Sequence, residues 1–328
     1  MKLTSQSLAL LVGLVLLMTA AVLLGETPLS LAQYGQALTH PGSPVGEVLW
    51  SLRAPRVVVA AMVGAALGLS GAVLQGLLRN PLAEPGVLGV SAGGGLGAAL
   101  AIALGLSASI GAIEAAALVG ALAAGAAVML AAARFREPET LILFGVALSA
   151  FGGALTALVF NFSPSPVTSQ QMLSWLMGSV ADRDWLDAAW AAPPMLAGLA
   201  LCLYARPGLL MMTLGEETAA LSGLPMARLR AAAVAGAALM TGAGVAVSGV
   251  IGFVGLAAPH LVRGGARSDP AAILAPSALA GALLLVGADL AARVIPTEVE
   301  LKLGVVTALF GAPLFAAIAW RAARSWRG

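Results

Sequence analysis

Two histidines, one cysteine, fifteen acidic residues and seventeen cations are the groups of this 328-residue chain that could do chemistry. Their spacing assembles no reactive constellation. His40 and His260 lie far apart in the sequence, so neither a metal pair nor a Ser-His-acid arrangement is available. Cys202 stands alone in an apolar run, which excludes a disulfide within the chain and a thiolate metal site. The two lysines, Lys2 and Lys302, are not preceded by glycine, and no G-x-x-x-x-G-K-[ST] loop occurs to cradle a nucleotide. No cofactor bound by this chain is expected. Ion-coupled carriers bury ionisable groups near the bilayer midplane. Here Glu114, Asp187 and Asp289 fall at span ends and the span centres carry no acid. A chain without an energy source of its own points to a partner that hydrolyses ATP. The other classes are an ion-coupled secondary transporter, which needs a buried ionisable site, and a membrane enzyme or scaffold, which lacks clustered reactive residues.

The elements that would hold such groups are membrane helices. Hydrophobic residues make up 60% of the chain and charged residues 10%, with mean hydropathy +0.97, whereas soluble domains carry roughly a quarter charged residues. Forty glycines suit helices packed in lipid, where small residues let backbones approach. The net charge of +2 comes from short arginine clusters between apolar runs rather than one basic face, so nucleic acid is excluded as a partner. Apolar stretches occur at about 7–25, 55–78, 87–106, 111–133, 140–160, 186–205, 230–251, 271–291 and 303–320, with a shorter tenth at about 252–263. The first is read as a retained span rather than a signal peptide, being long for an h-region and lacking a small-residue cleavage site after Gly25. The prediction is an all-α, polytopic membrane protein of about ten spans, forming one permease domain over 1–328.

Placing the N-terminus in the cytoplasm puts twelve of the seventeen cations inside, which satisfies the positive-inside rule and puts the C-terminus inside as well. Arg53, Arg56, Arg183, Arg293 and Lys302 remain outside. Outer loops are expected at about 26–54 and 161–185, the second with a short helix around Met172–Met177 at a channel mouth. A cytoplasmic loop at about 206–230, punctuated by Gly215, Gly223 and Pro225, reads as two short helices. Ser70-Gly71-Ala72-Val73 resembles Ser248-Gly249-Val250-Ile251, and Gly145-Val146-Ala147-Leu148 resembles Gly304-Val305-Val306-Thr307. Each pair runs in opposite directions across the membrane, as inverted halves would.

Seven blocks in chain order carry a family resemblance. Val63–Gln75 with Arg79-Asn80-Pro81-Leu82-Ala83-Glu84-Pro85-Gly86-Val87-Leu88-Gly89-Val90 is similar to the signature of the iron-chelate and cobalamin ABC-importer permeases. Gly145–Leu148, Trp175–Ser179, Leu214–Ala219, Gly252–Leu256, Pro259–Arg263 and Gly304–Ala308 extend the resemblance over nearly the whole chain. It implies a homodimer of ten-helix subunits in a bacterial inner membrane, two ATP-binding subunits and an outer substrate-binding protein. Cargo in the family is ferric siderophore, haem or cobalamin, and the commonest, ferric siderophore, is expected here.

The resemblance also implies residue roles. Leu214, Gly215, Glu216, Glu217 and Thr218 would press on the ATPase, although Ala220-Leu221-Ser222 departs from the arginine the family often has after this alanine, and Lys302 departs from its pattern too. Arg53, Arg56 and Arg293 would dock acidic groups of the binding protein, and their charges are expected to stay hydrated at the membrane surface. Headgroup anchoring, or an Asp289–Arg293 pair one helical turn apart, are competing roles. Asn80 and Leu82 would form the inner gate. Gly145, Gly152, Gly153 and Gly304, on the fifth and last spans, would line the path.

Overall fold

The computed structural model describes residues 5–25, 28–134, 138–213, 215–263, 269–295 and 301–325. Among these residues every regular element is helical. The long apolar helices are α1 (Ser5–Leu23), α3 (Pro44–Leu77), α4 (Val90–Ala103), α5 (Ala112–Arg134), α6 (Pro138–Asn161), α8 (Trp185–Met212), α10 (Met226–Ser248), α12 (Leu274–Val294) and α13 (Leu303–Ser325). Between them lie α2 (Leu31–Thr39), α7 (Pro166–Leu176), α9 (Glu216–Leu221) and α11 (Val254–Val262).

Local sequence explains several helix starts. Ser30 caps α2 in a reciprocal box with Gln33, and Asp184 caps α8 in the same way with Asp187. Ser165 accepts from the Thr168 N–H ahead of Pro166 at the first position of α7, where the missing proline N–H costs nothing.

Three boundaries differ from the sequence expectation. α3 starts at Pro44 rather than near 55, so most of the second half of the expected 26–54 loop is helix. α8 continues through Pro193, Pro194 and Pro207 to Met212, seven residues past the expected end at 205. Proline breaks helices chiefly by orphaning a carbonyl, and neighbouring helices in a bundle relieve that cost. α11 has nine residues, about 13 Å at 1.5 Å per residue, and cannot cross roughly 30 Å of hydrocarbon. It is a half-helix that follows the irregular stretch 249–253. The matched tetrapeptides therefore differ in conformation: Ser70–Val73 lies within α3, whereas only Ser248 of its counterpart is helical.

The centre of the bundle is α3 and α10, whose most apolar windows are 78% and 83% buried. α12, α11, α10 and α8 pack around α3, and α4, α5 and α8 around α10. The seam between α3 and α12 is built on Gly64-Ala65-Ala66-Leu67-Gly68. A Cβ on Gly64 would stand 2.3 Å from the Gly281 carbonyl oxygen, and one on Gly281 would stand 2.1 Å from that of Gly64. Backbones this close gain dispersion energy where lipid gives no hydrophobic drive to association. α6 is the opposite case, with 11% of its apolar window buried and Leu143, Val146, Phe151 and Leu158 exposed.

Candidate functional site

Four groups of expected site residues occupy distinct places. The first is a basic cavity of about 330 Å³ lined by Arg53, Arg56, Arg183 and Arg293 together with Asp182 and Asp184. Sequence positions far apart thus bring the three expected docking arginines to one concavity. Their charges are not held in water as expected. Arg53 is 7% exposed and donates to the Leu23 carbonyl at 2.8 Å. Arg56 donates through Nε and Nη2 to Asp289 Oδ1 at 2.9 and 2.8 Å, a two-pronged contact on a carboxylate that is fully buried. Arg293 Nη2 approaches Asp289 Oδ2 at 3.0 Å, close enough to pair but outside hydrogen-bond alignment. Asp289 is therefore the hub of two arginines. The i,i+4 spacing on α12 indicated the Arg293 half of this arrangement, whereas Arg56 sits on another helix and left no local trace.

A second ionic cluster holds the same end of the bundle. Arg183 reaches Glu114 at 3.2 Å and Asp187 at 3.3 Å, tying the start of α5 to the start of α8.

The expected gate segment is a turn in which Asn80 Oδ1 accepts from the Leu82 N–H at 2.9 Å, with Arg79 in left-handed backbone at φ 49°. Leu82 is half-exposed. The chain then turns through 85–88 and, with Gly89 at φ 80°, enters α4, which is only 14 residues long.

Beyond that turn lies a cavity of about 640 Å³ between α4, α6 and the stretch 250–253. Gly153 lines it, with Ser91, Ser149, Thr156 and Glu84 supplying polar groups to an otherwise apolar wall. A Cβ on Gly153 would meet nothing within 4 Å. The other expected wall glycines have backbone neighbours: Gly145 faces the Val87 carbonyl and Leu88, Gly152 faces Ala92, and a Cβ on Gly304 would stand 2.2 Å from the Met177 oxygen. Glu84 was missed as a lining residue because it sits in a turn rather than a span. Burial pushes its carboxyl above the usual range.

Of the expected coupling segment, Leu214 lies outside the described residues. Gly215 adopts φ 97°, a conformation suited to glycine, and α9 opens with Glu216, Glu217 and Thr218 and ends at the exposed Leu221. The structure thus shows one short helix between α8 and α10.

Helices long and apolar enough to span a membrane, around a cavity lined in part by irregular backbone, suit a membrane transport permease. Comparison with known proteins gives the family. The model of the FecCD transport family matches residues 13–321, and the chain belongs to that family of ABC-importer permeases. It is similar to the vitamin B12 import system permease protein of Escherichia coli O157:H7, at 41% identity over 298 residues, covering 88% of this chain and 90% of that one. The corresponding protein of Salmonella paratyphi A is 39% identical over 315 residues, covering 94% and 95%. A solved structure described as an inward-facing conformation of an ABC transporter of metal-chelate type superposes with a TM-score of 0.85 at 32% identity, covering 96% of this chain and 98% of that one. Family membership implies ATP-binding subunits and a substrate-binding protein as partners.

Proposed function

We propose that this chain is the permease of a cobalamin importer in a bacterial cytoplasmic membrane, working as a homodimer with two ATP-binding subunits and an outer binding protein. The observation that carries the cargo is 41% identity, over nine-tenths of their length, to permeases named for vitamin B12 import. Cobalamin replaces ferric siderophore as the first choice for that reason. The second reading, an iron chelate such as a ferric siderophore or haem, is favoured by the superposition on a transporter of metal-chelate type.

The uncovered face of α6, beside the cavity containing Gly153, is the surface a second copy would close, making a central path. The Arg53–Arg56–Arg293 cavity would accept carboxylates of the binding protein, with Asp289 holding two guanidinium groups in place. Asn80 and Leu82 would close the path on the cytoplasmic side, and α9 would transmit motion from the ATPase. Both termini would be cytoplasmic.

The cargo test is uptake of labelled cobalamin and of a ferric siderophore by the permease reconstituted with its own ATP-binding subunits and binding protein. ATP-dependent cobalamin uptake is expected, and ferric-chelate uptake without cobalamin uptake would overturn this reading. Replacing Glu216 and Glu217 together with lysine should leave the permease in the membrane while ATPase association weakens about tenfold, as reversed charges at an interface do. Normal assembly and transport by that variant would remove α9 from the ATPase contact. For orientation, Asp182→Cys should react with an impermeant thiol reagent on intact cells and Leu221→Cys should not. Both are made in a Cys202→Ala background, and the opposite pattern would invert the topology.

A further inference from the structure

We infer that the crevice between α5 and α8 is a lipid site, which seats one acyl chain of a phospholipid whose head carries a primary ammonium, the chemistry of phosphatidylethanolamine. The inference needs only the membrane-spanning helices and holds for any cargo. α5 and α8 both pack on α10 but make little contact with each other. The space left between them is about 440 Å³, floored by Ala243, Ala246 and Val247 of α10 and walled by Leu118 of α5 and Pro194 of α8. Along α8 it runs from Asp184 to Pro194, ten residues further on, or about 15 Å at 1.5 Å per residue. That is half of the roughly 30 Å hydrocarbon thickness, the depth one chain reaches in one leaflet. Val119 of α5 and Leu196 of α8 stand exposed nearby, as side chains facing lipid do.

The mouth of the crevice has the opposite character. Glu114, Asp184 and Asp187 line it where α5 and α8 begin. Arg183 stands 3.2 Å from Glu114 and 3.3 Å from Asp187, so among the described residues three carboxylates face one guanidinium. That excess repels an anionic head and favours a cation. The carboxylates are acceptors only, and Pro194 has no N–H to return to the Trp190 carbonyl, which therefore lacks its usual helical donor on the same wall. A primary ammonium brings three N–H donors to such a wall, whereas a quaternary choline brings none. Trp190 is 67% exposed at the crevice, an amphipathic ring of the kind that gathers at the level of lipid heads. A chain bound here fills the gap that side chains leave between α5 and α8, and its head adds a second cation beside Arg183.

The test is native mass spectrometry of the full-length permease with its ATP-binding subunits, delipidated in detergent. The complex is titrated with phosphatidylethanolamine, phosphatidylglycerol or phosphatidylcholine of identical chains. One phosphatidylethanolamine per permease chain should bind about tenfold more tightly than either of the others, the scale of one charged hydrogen bond. Ala115→Phe, at an exposed position lining the crevice, should fill it and abolish this tight site for all three lipids. Glu114→Gln removes one charge while Arg183 keeps its pair with Asp187, and should erase most of the preference while a chain still binds. Phosphatidylethanolamine should also raise the thermal midpoint of the delipidated wild type and leave that of Ala115→Phe unchanged. Equal binding of the three lipids by wild type, a preference for phosphatidylglycerol, or tight phosphatidylethanolamine binding that persists in Ala115→Phe would overturn the site. The wild-type comparison is decisive by itself, whatever the folding of the variants.

Discussion

Asp289→Asn is expected to lower the stability of the folded permease by about 3–5 kcal/mol, the cost of removing one partner from a buried ion pair. Asp289 is fully buried and faces Arg56 on α3 and Arg293 on α12. Neutralising it leaves two guanidinium groups in a basic cavity that also contains Arg53, so desolvation and mutual repulsion act together. The measurement is the thermal midpoint and monodisperse yield of the purified permease. A variant carrying Arg56→Met, Asp289→Leu and Arg293→Met should recover both, because apolar replacement of a whole buried triad is often neutral or stabilising. The same variant should no longer dock the binding protein, which separates the two roles of the arginines. A wild-type midpoint for Asp289→Asn would show that the cluster is hydrated and adds little. Reversing Arg56 to glutamate is a poor probe of docking for the same reason, since it sets a second carboxylate against Asp289.

Gly71→Ala is the second large effect. A Cβ at position 71 would stand 1.8 Å from the carbonyl oxygen of Gly255, so α3 and α11 must separate to admit one methyl group. Overpacking a core usually costs about 1–3 kcal/mol where side chains can shift. Here the obstacle is backbone, which cannot rotate away, and the expected outcome is loss of the folded, monodisperse protein. Gly35→Ala in α2 is the control, because a Cβ there meets nothing within 4 Å and alanine is the better helix former. Size-exclusion profiles of the two variants decide the matter. A normal Gly71→Ala profile would mean that α3 and α11 pack less closely than described.

The helical class and most spans were legible in the sequence, since long apolar stretches with few charges have no other stable form in lipid. α1, α4, α5, α6, α10, α12 and α13 lie close to the stretches expected from hydropathy. The short helix after Ser163-Pro164-Ser165-Pro166 was also legible, because proline and serine act on the turn where they stand. The family was legible too, from blocks such as Arg79–Val90 that retain both identity and order.

Other features depend on partners distant in the chain. Hydropathy cannot tell a half-helix from a short span, so α11 was read as the latter. Pro207 signals a helix end locally, yet α8 passes through it because neighbouring helices compensate. Glu84 stands in a turn far from 249–253 in the chain, and only the fold brings the two to one cavity. Arg56 and Asp289 are separated by 233 positions, and nothing in either segment names the other. Sequence by itself determined which segments are apolar, helical and capped, because those properties follow from each residue and its near neighbours. Tertiary structure alone decided which glycines are closed by a facing backbone, which charges are buried and paired, and where a cavity remains, because each depends on the surface that packing brings opposite.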